Sequence, residues 1–205
     1  MREFVYYSQH APTTGNFDSN LMKAGRMDIA VHVVIASFFL SHQIREDTKL
    51  HLIFAGMPDP QKHLEIQPRK EIEPYDHGRR VDLSKKDVSG LIKRMLYKYK
   101  KGRKIEAFPG YFIEKNSFLK VIRELQDQGK DLYVLDPKGE DIRTVNIGEN
   151  PVFVLGDHEG IPTKELKRLK KELIPVSIGK KKYFASQTVA IVNNEIDRRE
   201  EKIYK

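Results

Sequence analysis

Cysteine is missing altogether from the 205 residues. That absence excludes disulfides, a thiolate nucleophile, Cys-ligated zinc and an iron–sulfur cluster. Long apolar runs are missing too. The nearest approach, residues 29–40, is interrupted by His32 and Ser37 and is too short for a hydrocarbon core of roughly 30 Å. The opening Met1-Arg2-Glu3-Phe4-Val5-Tyr6 runs straight into a strand-like segment without the apolar core of a secretion signal. No membrane association is therefore expected, and the cytoplasm is the expected compartment. The familiar catalytic spacings are equally scarce. There is no G-x-G-x-x-G and no G-x-S-x-G, and Gly179-Lys180-Lys181-Lys182 lacks the rest of a P-loop. The histidines at 10, 32, 42, 51, 63, 77 and 158 include no pair three or four apart on a helix, so no metal is expected.

What is present is a basic, foldable chain. Lys and Arg number 37 against 29 Asp and Glu, a formal charge of +8, with 39% hydrophobic residues. Composition shows no break, so one domain over 1–205 is expected. The fold class is α/β: short β-branched or aromatic runs alternate with helical ones. Asp131–Asp136 and Pro151–Gly156 read as parallel strands buried on both faces, joined through a polar Pro137–Asp141 turn and some irregular connection. Leu173–Ile178 reads as a third strand, weakened by Pro175. Apolar residues at steps of three and four predict helices over 84–101, around 118–125 and around 189–196. In the amino-terminal half, strands at Glu3–Tyr7 and Lys49–Ala55 flank a helix over 28–42, a β-α-β unit. The stretch 57–81 reads as an ordered loop with an edge strand.

Three places attract chemistry. Gly156-Asp157-His158-Glu159-Gly160 leaves the best buried strand, where open parallel sheets bind ligands and where glycine lets backbone approach one closely. An ordinary βα turn is the plain alternative. Ser177-Ile178-Gly179-Lys180-Lys181-Lys182-Tyr183 leaves a strand and enters a helix that Ser186 or Thr188 can cap. Its lysines suit a phosphate backbone or a merely solvated loop. Gly25-Arg26-Met27-Asp28 precedes the apolar helix, with Arg45 beyond that helix's far end. Asp28 can serve chemistry or simply the helix dipole. Asp59, in Gly56-Met57-Pro58-Asp59-Pro60, sits past a strand end.

Together these segments resemble the SPOUT class of methyltransferases. The resemblance is narrower in Gly25-Arg26-Met27-Asp28, Phe38-Phe39-Leu40-Ser41-His42, Gly56–Pro60, Gly139-Glu140-Asp141, Asn150-Pro151-Val152-Phe153 and Gly156–Gly160, which together look like the archaeal tRNA pseudouridine N1-methyltransferase family. The resemblance implies a mostly parallel sheet flanked by helices, with a deep trefoil knot over about 131–205. It implies S-adenosyl-L-methionine as cofactor, held by Leu135, Gly156, Gly160, Ile178, Gly179, Tyr183 and Thr188. Relatives carry a cysteine where Thr188 stands, so no cysteine-dependent step can operate here. It implies tRNA as partner and a homodimer, with Arg26, Arg45, Lys180 and Lys181 serving RNA. Methyl transfer to N1 of pseudouridine 54 in the T-loop then needs a base or an ordered water; a carboxylate raised by partial burial can serve, and Asp28 and Asp59 are the candidates. A methyltransferase for ribosomal RNA and a non-enzymatic RNA-binding module are the competing readings.

If the lysines touch phosphates, the logarithm of tRNA affinity falls linearly with the logarithm of salt concentration. Filter binding at several salt concentrations checks this; a flat plot points to a small-molecule substrate.

Overall fold

The computed structural model describes residues 1–41, 43–68, 75–76, 79–80 and 84–203, with side chains left aside at 75, 76, 79, 80 and 201–203. His42 and most of the tract 69–83 lie outside the described residues.

Strand β1 (Arg2–Ser8) is buried along its whole length, as a central parallel strand must be. It leads through an irregular segment to α1 (Met27–Phe38) and β2 (Thr48–Phe54), which pairs parallel to it. Helix α1 ends at Phe38, earlier than its apolar pattern suggests, because Phe39 turns extended and bridges Ile44. Then come β3 (Lys62–Ile66), a two-residue hairpin of β4 (Tyr75–Asp76) and β5 (Arg79–Arg80), and α2 (Lys85–Tyr97). Ser84 caps α2, its Oγ accepting from the Asp87 amide at 3.1 Å. The helix stops before Tyr99, four residues short of the pattern's end. Strands β6 (Ile105–Phe108) and β7 (Tyr111–Glu114) precede α3 (Phe118–Asp127). The last third is β8 (Asp131–Asp141), β9 (Pro151–Gly156), α4 (Thr163–Glu172), β10 (Ile174–Ser177) and α5 (Ala185–Ile203).

The main sheet runs β10-β8-β9-β1-β2-β3-β7-β6. Its first five strands are mutually parallel, and β3, β7 and β6 extend it antiparallel. The 57–81 stretch thus supplies an interior strand, not an edge strand. Alternation divides the packing: Phe4 and Tyr6 face α1, α2 and α5, whereas Val5 and Tyr7 face α3 and α4. The segment expected to turn at 137–141 remains strand. Pairing of β10 with β8 jumps from Pro175↔Val134 to Val176↔Glu140, leaving 135–139 as a bulge. Gly139 makes this possible, since an added Cβ would lie 2.5 Å from the Pro175 carbonyl carbon.

Across the antiparallel extension, polar groups replace an apolar face. Glu3, His51, His63 and Glu114 from β1, β2, β3 and β7 form one chain of contacts of 2.9, 2.9 and 3.1 Å. Both outer imidazole nitrogens face carboxylates and so carry protons, leaving a single further proton for the gap between the rings. Burial pushes the His63 imidazole below its ordinary range. Helix spacing cannot reveal this pair, which is joined across strands with Glu65 close by.

Burial alone would raise the Glu3 carboxyl, but His51 and Lys130 together hold it at about 2 instead of 4.5. The native state therefore binds fewer protons there than the unfolded chain. This share of stability, on the order of 3 kcal/mol, is present above pH ~4.5 and lost as pH falls toward about 2. Urea unfolding followed by circular dichroism across that range should show a steep acid decline in the native protein and a flatter one in Glu3→Gln, which is also weaker at pH 7.

Candidate cofactor cleft

From β1 the chain crosses to β2 on one side, and from β9 it crosses to β10 on the other. A crevice therefore opens beyond the carboxyl ends of β1 and β9, where open α/β sheets bind their ligands. Here it is a cleft of about 630 Å³, within the roughly 300–1,000 Å³ of small-ligand sites.

Three backbone segments build it. The first is the β8 bulge, which contributes Leu135, Asp136 and Pro137. Asp136 shapes this bulge by accepting from the Lys138 amide at 2.8 Å and from Lys170 at 2.9 Å. The second is the turn after β9, which contributes Gly156 through Ile161. Asp157 holds the turn in place, accepting from the Gln9 amide at 2.8 Å, Ser8 Oγ at 3.2 Å and the Glu159 amide at 2.9 Å. Gly156 lies so near the returning chain that an added Cβ would sit 2.3 Å from the Gly160 carbonyl carbon. The third segment follows β10 and contributes Ile178, Gly179, Lys181, Lys182 and Tyr183. Ser177 Oγ accepts from the Gly179 amide at 3.1 Å and reaches Pro137 O at 3.4 Å, stitching this segment to the bulge. Thr188, on the first turns of α5, completes the wall. Neither Ser186 nor Thr188 caps α5; Gln187 does so, its Oε1 accepting from the Phe184 amide at 3.0 Å.

All seven residues expected to contact the cofactor thus line one cleft: Leu135, Gly156, Gly160, Ile178, Gly179, Tyr183 and Thr188. Lys181 lines it as well, and Lys180 stands outside the lining. Sequence reasoning passed over Asp136 and Asp157 as site residues, although an Asp beside Pro or Gly after a strand is a turn-forming signal.

The other candidates lie elsewhere. Arg26 occupies the left-handed region at φ 59° and grips Asp28 with two hydrogen bonds of 3.0 Å. Its neighbour Ile29 lines the cleft, and the charges of Arg26 and Asp28 reach Tyr6 and those of Arg26 reach Asp157. The pair therefore stands beside the cleft without lining it. Burial pushes the Asp28 carboxyl up, but Arg26 outweighs it and the net direction is down. Asp59 is held at about 2 by Lys115 and Lys62. Neither carboxylate has the raised value expected of a burial-tuned base. Arg45 is at the opposite end of the parallel strands, bound to Asp197 at 2.8 Å together with the buried Arg2. In the basic run, Lys98 folds onto the Phe108 ring and Lys104 pairs with Glu65 at 2.8 Å.

A compact adenosyl sulfonium with an amino-acid tail fits this donor set. Leu135, Leu155, Val176 and Ile178 give apolar walls for a purine. Asp136, Asp157 and Glu159 suit its positive groups. At Gly160 (φ +81°) and Gly179 (φ +124°) an added Cβ would meet no heavy atom within 4 Å, so a ligand can lie directly on backbone.

Fold and cleft define a mostly parallel α/β protein with a ligand-sized cleft among its strand-end loops. A crystal structure of Archaeoglobus fulgidus Nep1 bound to S-adenosylhomocysteine shares the fold, with a TM-score of 0.57 at 15% identity over 96% of each chain. The family described as "Putative SAM-dependent RNA methyltransferase" matches residues 1–201, and the chain belongs to it. A relative from Methanocella arvoryzae, named tRNA (pseudouridine(54)-N(1))-methyltransferase, is 36% identical over 97% of this chain and 100% of its own length. A protein of the same name from Methanococcoides burtonii is 34% identical over 97% of this chain and 96% of its own.

Gly156→Ala should keep the far-ultraviolet circular dichroism spectrum while weakening S-adenosylmethionine binding by about tenfold or more, since the turn must open to admit the methyl group. Titration calorimetry reads this directly.

Proposed function

We propose that this protein transfers a methyl group from S-adenosyl-L-methionine to N1 of pseudouridine 54 in the T-loop of tRNA. The observation that carries the reading is the convergence of the β8 bulge, the β9 turn and the β10 loop on one cleft. Membership of an RNA methyltransferase family and the names of the nearly full-length relatives support it. Leu135 and Ile178 cover the purine, the backbone around Gly156, Gly160 and Gly179 hydrogen-bonds it, and Tyr183 and Thr188 close the wall. When bound, the cofactor supplies a methyl group already activated by its sulfonium. The protein's task is then alignment and proton handling. Asp28, kept ionised by Arg26, accepts the hydrogen bond from N1–H and passes its proton to water as N1 is alkylated. Asp59, locked between two lysines, orients that neighbourhood and moves no proton. Lys180 and Lys181 take phosphates. Arg45 stays with Asp197 and supports the docking of α5.

Close contacts of α5 and β10 with the segment after β8 support the knotted path. Arg199 donates to Val145 O at 3.0 Å and to Ile142 O, and the Ile142 amide donates to Ser177 O at 2.8 Å. We place the enzyme as a homodimer, the arrangement that the resemblance implies. Among the described residues no helix is long and apolar enough to cross a membrane.

The test is mass spectrometry of nucleosides after incubating tRNA with cofactor. Pseudouridine-containing tRNA should gain one N1-methyl group, and the uridine-containing transcript should gain none. Asp28→Asn should lower kcat by about 10²-fold or more while cofactor affinity stays within twofold. Methylation of ribosomal RNA alone, or cofactor-free RNA binding without methylation, overturns the reading.

A further inference from the structure

Phe184 is the most exposed aromatic ring lining the cleft: 71% exposed, it stands there together with Lys181 and Lys182. An exposed ring is ordinarily mobile or covered by a partner. This one stands on fixed backbone, because its amide donates to Gln187 Oε1 at 3.0 Å and its carbonyl accepts from the Thr188 amide at 2.9 Å. The charged residues next to it in the chain have one sign. Lys180, Lys181 and Lys182 precede it in the chain, and none forms an ion pair among the described residues. The basic run at 98–104 differs, with Lys98 and Lys104 already engaged inside the molecule. A ring carried on hydrogen-bonded backbone beside ammonium groups without carboxylate partners among the described residues suits single-stranded nucleic acid, one base face on the ring and phosphates on the lysines. Reaching N1 of a base in a folded loop also requires unstacking it. Its neighbour then loses a stacking partner.

We infer that Phe184 is a positioning residue that replaces this partner: it stacks on the RNA base next to the methyl acceptor while Lys181 and Lys182 hold the flanking phosphates. The inference rests on the RNA methyltransferase reading, and it assigns the mouth of the cleft to substrate and its interior to cofactor. Charge complementarity selects RNA at this patch, where Lys180, Lys181 and Lys182 suit phosphates.

The chain contains no tryptophan, so F184W introduces a unique fluorophore at the mouth. Adding tRNA without cofactor to F184W should quench its emission, and adding S-adenosylmethionine alone should leave it unchanged. Stacking on an aromatic side chain is worth about 1–3 kcal/mol per base, so F184A should raise KM for tRNA at least about fivefold. Its kcat and its cofactor affinity should stay within twofold of the native values, and F184W and F184Y should retain native KM. Four results overturn the inference: tRNA binding to F184W without quenching, quenching by cofactor alone, full rescue by F184L, or a changed sedimentation coefficient in F184A. The quench needs no methyl transfer. A protein that binds RNA with quenching yet methylates nothing therefore refutes the activity and leaves the stacking contact standing.

Discussion

Backbone packed closer than a side chain permits is the constraint on which this molecule depends. At the carboxyl ends of its parallel strands, Gly156 touches the returning Gly160–Ile161 peptide and Gly139 touches the Pro175–Val176 peptide. These two contacts fold the β9 turn and the β8 bulge inward, and the β10 loop is tied to the bulge through Ser177. The cleft is what remains between three peptide segments so arranged. Backbone and apolar side chains thus stand together in its wall, and a nucleotide-like ligand needs no phosphate-binding glycine motif here.

Asp157 links this construction to the rest of the sheet. Its carboxylate ties the β9 turn to the first residues after β1, and those residues in turn hold the segment around Gly56 through the Gly56 amide to Ala11 O, at 3.1 Å. The Arg26–Asp28 pair stands beside the same junction. An ionised, arginine-held carboxylate is a better hydrogen-bond acceptor than proton store, and this shifts the burden of catalysis from a tuned base toward orientation. The opposite end of the sheet has a different job: Arg2 binds Asp47, Asp197 and Glu200 and so fastens α5 beneath β1. Arg45 belongs to that fastening.

Much of this was legible in the chain. The buried parallel strands announce themselves as short apolar runs, and the stripes of α2, α3 and α5 follow a 3.6-residue period. The strand-end loops of the cleft follow from Brändén's rule together with the family resemblance. The antiparallel extension was illegible for a physical reason. Lys62, His63 and Glu65 on β3 are buried by pairing with Asp59, His51, Lys49 and Lys104, partners distant in sequence, so an interior strand looks polar. The segment Pro137–Asp141 was likewise read as a turn although it continues β8 past a bulge, because Pro137 and Gly139 punctuate both. Gln187 was missed as a cap because the residue it serves, Phe184, has no capping side chain of its own.

The central claim is that three segments distant along the chain form one ligand site. Amide hydrogen exchange with and without S-adenosylmethionine tests it most directly, since backbone that contacts or closes over a ligand exchanges more slowly. Slowing in 135–139, 156–160 and 178–183 together, with little change around Arg2 and Asp197, is the result this account predicts. Slowing confined to one of those segments, or centred at the opposite end of the sheet, contradicts it.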